Sequence, residues 1–423
     1  MTEWREALLG DALDVRHGYA FKGECFRDDG ELIVLTPGNF HDSGGFKPKS
    51  GKEKYYDGPY PPDYLLAKGD VVVAMTEQAH GLLGSTATIP TSGRYLHNQR
   101  LGLLRITSPD RLDLRFCYHL LNGPTARHQI QATATGSKVR HTAPERIRAV
   151  HVALPDVQTQ RTIGRILDAF DDLIENNRRR IELLEQMVEA IYREWFVRFR
   201  YPGQEAAVMV DSPLGPIPAG WAVKTIQDLS AVVTRGIAPR YADTGSWTVI
   251  NQRCIRDSRI SLDVARRQER DVPASKQVRF GDILINSTGV GTLGRVGMML
   301  REQRDLTADS HVTIVRPLDP GMQPWFGLHL LLRQSELETM GVGSTGQTEL
   351  GRQAIGRLPI ALPGPTILGG FAEMSWPLVL EVPHLLDQNR NLVAMRDLLL
   401  PRLVTGQIDV SKMDLDALVD SVA

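Results

Sequence analysis

The chain has 423 residues, 42% hydrophobic and 23% charged, with 38 Gly, 25 Pro and a formal net charge of −1. This is the composition of a soluble, turn-rich globular protein. It excludes collagen-like and disordered classes, and near-zero net charge excludes an indiscriminate nucleic-acid binder, whose affinity scales with the Lys and Arg offered to phosphate. At roughly 150 residues per domain the length predicts two or three compact units.

Met1 to Gly10 is polar, without the basic-then-apolar order of a signal peptide, and no run of about 18 apolar residues exists to span a membrane, so a cytoplasmic location is expected. Cys25, Cys117 and Cys254 stand apart from one another and from any histidine cluster. They read as inert thiols, and neither a disulfide framework nor a metal site is expected.

The first 156 residues read as short strands and turns. Lys68-Gly69-Asp70 leads into the apolar run Val71-Val72-Val73, a Gly-rich stretch follows from Gly81 to Gly84, and Gly136-Ser137 and Ala153-Leu154-Pro155 come later. Each feature returns further on. Phe280-Gly281-Asp282 leads into Ile283-Leu284-Ile285 at an offset of 212, then come Gly289 to Gly294, Gly343-Ser344 and Ala361-Leu362-Pro363. Leu173-Ile174-Glu175-Asn176-Asn177-Arg178 is likewise answered by Leu385-Leu386-Asp387-Gln388-Asn389-Arg390. Four matches in one order at nearly one offset point to an internal duplication.

The predicted organisation is an α+β chain: a β-rich domain over 1–156, a helical spacer over 157–201, a Pro- and Gly-rich linker over 202–220, a second β-rich domain over 221–364, a second helical spacer over 365–409 and a tail over 410–423. In the first spacer Ile163, Leu167, Phe170, Ile174, Asn177, Ile181, Leu184, Val188, Ile191 and Trp195 recur in alternating steps of four and three. That is a heptad seam, and about 40 residues make roughly 60 Å of helix. Asn177 and its counterpart Asn389 are seam amides that would fix register.

The second seam, through Leu386, Asn389, Val393, Leu400 and Leu403, is less regular: Arg396 intrudes and Pro383 should kink it, so a shorter or bent helix is expected. A duplicated unit folded back on itself would run its two helices antiparallel, with pseudo-two-fold symmetry. Trp195, Phe196 and Phe199 close the first helix and should pack against linker Tyr201, a partner anchor being the other reading.

No phosphate loop, H-E-x-x-H, nucleophile elbow or methyltransferase tetrapeptide occurs. Gly289-Val290-Gly291-Thr292-Leu293-Gly294 fits G-x-G-x-x-G, but nothing after it starts a helix, so a hairpin turn is the better reading. The chain reads as non-catalytic. Its basic residues are clustered: Arg94 to Arg148 holds ten Lys or Arg against three acids, and Arg253 to Arg279 eight against four.

Two repeated domains on helical spacers, with the Gly-Asp turns, the Ala-Leu-Pro before each helix and the late Leu398-Leu399-Leu400-Pro401-Arg402-Leu403-Val404-Thr405-Gly406-Gln407-Ile408-Asp409, resemble the specificity subunit of Type I restriction-modification systems over nearly the whole chain. The first helix opens with the family-like Gln158-Thr159-Gln160-Arg161, whereas Thr366-Ile367-Leu368-Gly369-Gly370 departs from it. The resemblance implies a reader of a split, asymmetric double-stranded DNA sequence. It further implies two modification subunits that methylate adenine with S-adenosylmethionine, and restriction subunits that translocate and cleave with ATP and Mg. A coiled-coil scaffold that never reads DNA, and an unrecognised methyltransferase or nuclease, are the rival readings.

DNA readers use Arg, Lys, Asn, Gln, Ser and Thr on loops. The candidates in the first domain are Tyr19, Lys22, Asn98, Gln99, Arg100, Ser137, Lys138, Arg140 and His141. In the second they are Arg235, Arg240, Tyr241, Asn286, Ser287, Thr288, Arg295, Ser344, Thr345 and Gln347.

Overall fold

The structure is a computed structural model, which describes residues 4–49, 51–78, 81–203, 208–343 and 348–410. The chain forms two compact units: residues 1–176 with 389–423, and residues 177–388. The first is thus built from both ends of the chain. The C-terminal word singled out above supplies Leu400, Leu403 and Val404 to its core, Val410 just after it adds a fourth residue, and Gly406 (φ +72°) passes so close to the Trp4 ring that a Cβ would stand 2.5 Å from the indole nitrogen.

The duplication is visible in the sheets. In the first unit β1 (Leu13–His17), β2 (Val71–Ala74), β3 (Thr86–Thr88) and β4 (Leu101–Ile106) make an antiparallel sheet in the order β1-β4-β2-β3. In the second, β5 (Ser230–Arg235), β6 (Ile283–Asn286), β7 (Val296–Met298) and β8 (Val312–Pro317) repeat it as β5-β8-β6-β7.

Each Gly-Asp word is the turn into the third strand of its sheet. Gly69 (φ +89°) and Gly281 (φ +80°) take the left-handed conformation that favours glycine. Asp70 then accepts the Ala67 amide (2.9 Å) and pairs with Arg105 of β4, as Asp282 accepts the Arg279 amide (2.8 Å) and pairs with Arg316 of β8. Both Gly-rich stretches join antiparallel neighbours, so the G-x-G-x-x-G of residues 289–294 is a hairpin turn. The Ala-Leu-Pro words end closing strands: His151–Leu154 pairs with Arg5–Leu8, and Pro359–Leu362 with Ala222–Thr225.

A helix covers each sheet, α1 (Leu114–Asn122) in the first unit and α3 (Gln323–Leu332) in the second. Asp113 caps α1, its Oδ1 accepting the amides of Arg115 and Phe116. Between them in sequence runs α2 (Val157–Tyr192), and α4 (Pro365–Val404) is the last helix among the described residues. Asp156 caps α2 by accepting the Thr159 amide (3.0 Å), while the fully buried Gln160 holds the carbonyls of Arg111 and Pro155 and accepts the Asp113 amide. That explains why Gln160 belongs in the opening word.

In each unit a stretch of α2 packs antiparallel on a stretch of α4. In the first, Ile163 and Leu167 meet Leu400 and Leu403, and the Asn389 Nδ2 donates to the Ile174 carbonyl at 3.2 Å. In the second, Ile181 meets Val382 and Leu385, and the Asn177 Nδ2 donates to Gln388 Oε1 at 3.3 Å. Every seam position from Ile163 to Trp195, including Phe170, Leu184 and Ile191, is buried or half-buried.

The second helix corrects one expectation: at 40 residues it is not shorter than the first, whose 36 residues of α-helix are continued by a five-residue π-helical turn over Arg193–Val197, and it runs through Pro383. Proline removes one intrahelical bond, and burial of Val382 and Leu385 beside Ile181, with Pro383 itself buried, offsets that loss. Arg396 does not break the seam either. It is buried and donates to Asp171 of α2 at 2.7 Å.

Trp195 and Phe196 pack with Tyr192 and Phe371, and Phe196, Phe199 and Tyr201 all contact Trp221. These aromatics are core. Burial pushes the Cys117 and Cys254 thiols up to about 12 and about 11, which keeps them protonated. Among the described residues no helix is long and apolar enough to cross a membrane.

Candidate nucleic-acid interface

In the first unit β1 and β2 end, and β4 begins, at the same end of the sheet, since His17 lies opposite Gly102 and Ala74 opposite Leu101. Three loops distant in sequence are therefore neighbours. Backbone bonds tie them together: Tyr19 N to His97 O (2.9 Å), Gln99 N to Tyr19 O (2.9 Å), Met75 N to Arg100 O (3.0 Å) and Thr142 N to Met75 O (2.9 Å).

The second unit builds the same frame from different residues. Ile237 N donates to Ala308 O (2.9 Å), Ser287 N to His311 O (2.8 Å) and Leu350 N to Ser287 O (2.8 Å). Gly18 and Gly236 occupy the equivalent crossing, where a Cβ would stand 2.0 Å from the carbonyl oxygen of Asn98 and of Ala308 respectively. Only glycine lets the backbones pass.

In the first unit this frame gathers the candidates. Lys22, Gln99, Arg100, Ser137, Lys138 and His141 are exposed, and Asn98 is half-buried. Tyr19 is half-buried against Phe21 and Tyr64, with ring centroids 5.2 and 5.3 Å away. Arg140 is committed internally, donating to Glu77 Oε1 (3.1 Å) and the Gln131 carbonyl (2.6 Å). Glu77, itself buried, also accepts the amides of Gly81 and Leu83 and so straps that loop.

The second unit divides its candidates more sharply. Asn286 and Ser287 are fully buried, with Asn286 Nδ2 donating to the Gln252 carbonyl and Ser287 Oγ sharing a hydrogen bond with Thr313. Arg235 is likewise internal, held by Glu349 and the carbonyls of Ser310 and Leu350. Arg295 is half-buried and donates to the Gly291 carbonyl. Thr288 lies nearer the surface, its hydroxyl 2.8 Å from His311 Nδ1.

Arg240 is exposed and pairs with Glu269, and Arg266 stacks 3.7 Å from the centre of the Tyr241 ring. Ser344, Thr345 and Gln347 lie outside the described residues.

Sequence reasoning passed over Asp309, Ser310 and His311, which occupy in the second unit the place of Asn98, Gln99 and Arg100. Their signal was available. Leu101 to Ile106 and Val312 to Pro317 are counterparts at an offset of 211, and the three residues before each strand fall into line.

Residues 1–186 match the family model for the Type I restriction modification DNA specificity domain. Similarity extends past that stretch: the chain is 24% identical over 328 residues to the Type I restriction enzyme MjaIX specificity subunit of Methanocaldococcus jannaschii, covering 74% of this chain and 73% of that protein. The similarity is to Type I restriction specificity subunits.

A second specificity subunit, HindI of Haemophilus influenzae, is 21% identical over 334 residues, covering 62% of this chain and 70% of that relative. The crystal structure of the Type I restriction-modification S subunit from M. genitalium aligns over 95% of this chain and 96% of its own with a TM-score of 0.62. At 14% identity that likeness is one of fold.

Proposed function

We propose that this chain is a non-catalytic specificity subunit that reads an asymmetric double-stranded DNA sequence split in two, each unit taking one part, with the length of α2 and α4 setting the tolerated gap. Adenine methylation with S-adenosylmethionine, and cleavage with ATP and Mg, then belong to two modification subunits and to restriction subunits that dock on it. The observation that carries this reading is the loop frame built twice on one strand order, with different exposed side chains in each copy. Loops on a rigid scaffold are where sequence readers place base contacts, and two scaffolds with unlike loops suit two unlike half-sites. The local excess of Arg and Lys within a chain of net charge −1 fits phosphate contact confined to particular faces.

The test is a gel shift with the modification subunits present, its target taken from the methylome of a host that carries the system. One split sequence should be preferred over scrambled competitor. Equal affinity for both would favour a scaffold, and S-adenosylmethionine binding or DNA cleavage by the purified chain alone would overturn the division of labour.

A further inference from the structure

The approach to β4 and the approach to β8 share a turn as well as a frame. Asn98 Oδ1 accepts the Arg100 amide at 3.0 Å, and Asp309 Oδ1 accepts the His311 amide at 2.9 Å. In both units the side-chain oxygen of the first residue is consumed by the turn, so Asn and Asp serve equally there. The third residue is anchored on its other side, its carbonyl accepting the amide of Met75 or of Ser287. What remains free to differ is the side chains of the second and third positions. Gln99 and Arg100 are exposed in one unit; Ser310 is half-buried and His311 exposed in the other.

We infer that Asn98–Arg100 and Asp309–His311 are one readout turn used twice, the first residue fixing its shape and the next two choosing bases in that unit's half-site. This rests on the DNA-reading role proposed above. The chemistry of the two pairs is unlike. Arginine presents a planar fork that meets the two acceptors on the guanine major-groove edge, and glutamine can bond an adenine in two places. Serine and histidine are shorter and offer single contacts, and His311 is already steered by Thr288, whose hydroxyl lies 2.8 Å from its Nδ1. One frame carrying two such pairs yields a target whose halves differ while the geometry of reading does not. Because backbone bonds hold both flanks, little ordering remains to oppose binding.

The experiment uses the full chain assembled with its modification subunits and measures competition by every single-base variant of the split target. Arg100→Ala should lose discrimination roughly 10- to 100-fold at one position of one half-site and leave the other half unchanged. His311→Ala should do the same in the other half, with a smaller loss. Asn98→Asp keeps the acceptor that Asp309 supplies in the second unit, so its base preferences should match wild type. The double change Ser310→Gln with His311→Arg should carry the first unit's preference into the second half-site.

If Arg100→Ala and His311→Ala weaken all sequences evenly and flatten the salt dependence, these residues touch phosphate and the inference fails. A split target whose every position survives both changes also overturns it, while leaving the proposed function standing. A wild-type complex with no split target overturns both. Unchanged thermal midpoints for Asn98→Asp and Arg100→Ala would separate loss of reading from loss of folding.

Discussion

Arg396 occupies the seam of α4 and donates through Nη1 to Asp171 Oδ1 of α2 at 2.7 Å, while the other oxygen of the same carboxylate accepts the Tyr118 hydroxyl at 3.2 Å. Three elements of the first unit, α1, α2 and α4, thus meet at one carboxylate. A buried ion pair is costly to desolvate, and its loss on one side strands the other charge. Arg396→Ala should therefore lower stability by about 2–3 kcal/mol, discounted because 26% of the Asp171 side chain faces water. Replacing both residues by leucine, with Tyr118→Phe so that the hydroxyl held by Asp171 is not stranded, should recover most of that loss. Thermal unfolding of the three proteins checks it, and a triple variant as unstable as Arg396→Ala would show that apolar packing cannot replace the charge pair.

The glycine crossings invite a paired test. Gly18→Ala and Gly236→Ala each put a Cβ about 2.0 Å from a backbone carbonyl oxygen, which no rotamer change can relieve. Each should cost about 1–3 kcal/mol and spread the loops of its own unit. Gly23→Ala meets no atom within 4 Å and should change stability by less than about 0.5 kcal/mol. Urea midpoints decide the matter, and equal midpoints for Gly18→Ala and Gly23→Ala would show that the crossing has room.

The duplication, the hairpin reading of 289–294 and the heptad seam of α2 were legible because each rests on local chemistry. A Gly-Asp turn needs a left-handed residue and an acceptor side chain wherever it occurs, and a seam must recur every three or four residues. Long-range pairing was not legible. Nothing near Arg396 in sequence reveals Asp171, and nothing near Arg140 reveals Glu77, so one read as an intrusion and the other as a DNA-contact candidate. Asn286 and Ser287 have the residue types of a base reader, but they end a strand whose two faces are both covered. Asp309 to His311 went unseen because none of the words used to align the repeats falls between Gly294 and Gly343, the stretch that holds β8. The helix continues through Pro383 because the packing that holds α4 there lies in residues over two hundred positions away.

Acid should weaken the first unit through His97. Burial pushes its imidazole down to about 4, with Nε2 placed 2.9 Å from the Leu101 carbonyl and the His97 carbonyl holding the Tyr19 amide of the loop frame. The folded value lies below the unfolded 6.5, so between the two the unfolded state binds the extra proton. The stabilisation is complete above about pH 6.5, declines as pH falls to about 4 and is level below that, a change of roughly 3 kcal/mol. His329, lowered to about 3 by desolvation and by the neighbouring Arg333, acts in the same direction in the second unit. His97→Gln keeps a donor for Leu101 and removes the titration. Subtracting its urea stability from that of wild type at pH 7, 6, 5 and 4 isolates His97, and a difference that does not vary with pH would remove it as the cause.

The polar layer of the helices makes a separable prediction about spacing. In the second unit Asn177 donates to Gln388, and in the first Asn389 donates to the Ile174 carbonyl, so each unit holds its helix pair in one register by a seam amide. Such an amide lowers stability relative to leucine and excludes slipped pairings. Asn177→Leu should therefore leave the melting midpoint equal to wild type or slightly raised, while the complex with the modification subunits accepts a wider set of gaps between half-sites. Deleting or adding one heptad between Ile163 and Trp195 should move the accepted gap to a new value with the bases unchanged, because whole heptads return the seam to the same face. Exchanging the domain up to Pro155 for that of a relative should alter the bases of one half-site and leave the gap alone. Methylome sequencing of hosts carrying each variant reads bases and gap together, and a heptad variant that changed the bases would show that the helices take part in reading rather than in spacing.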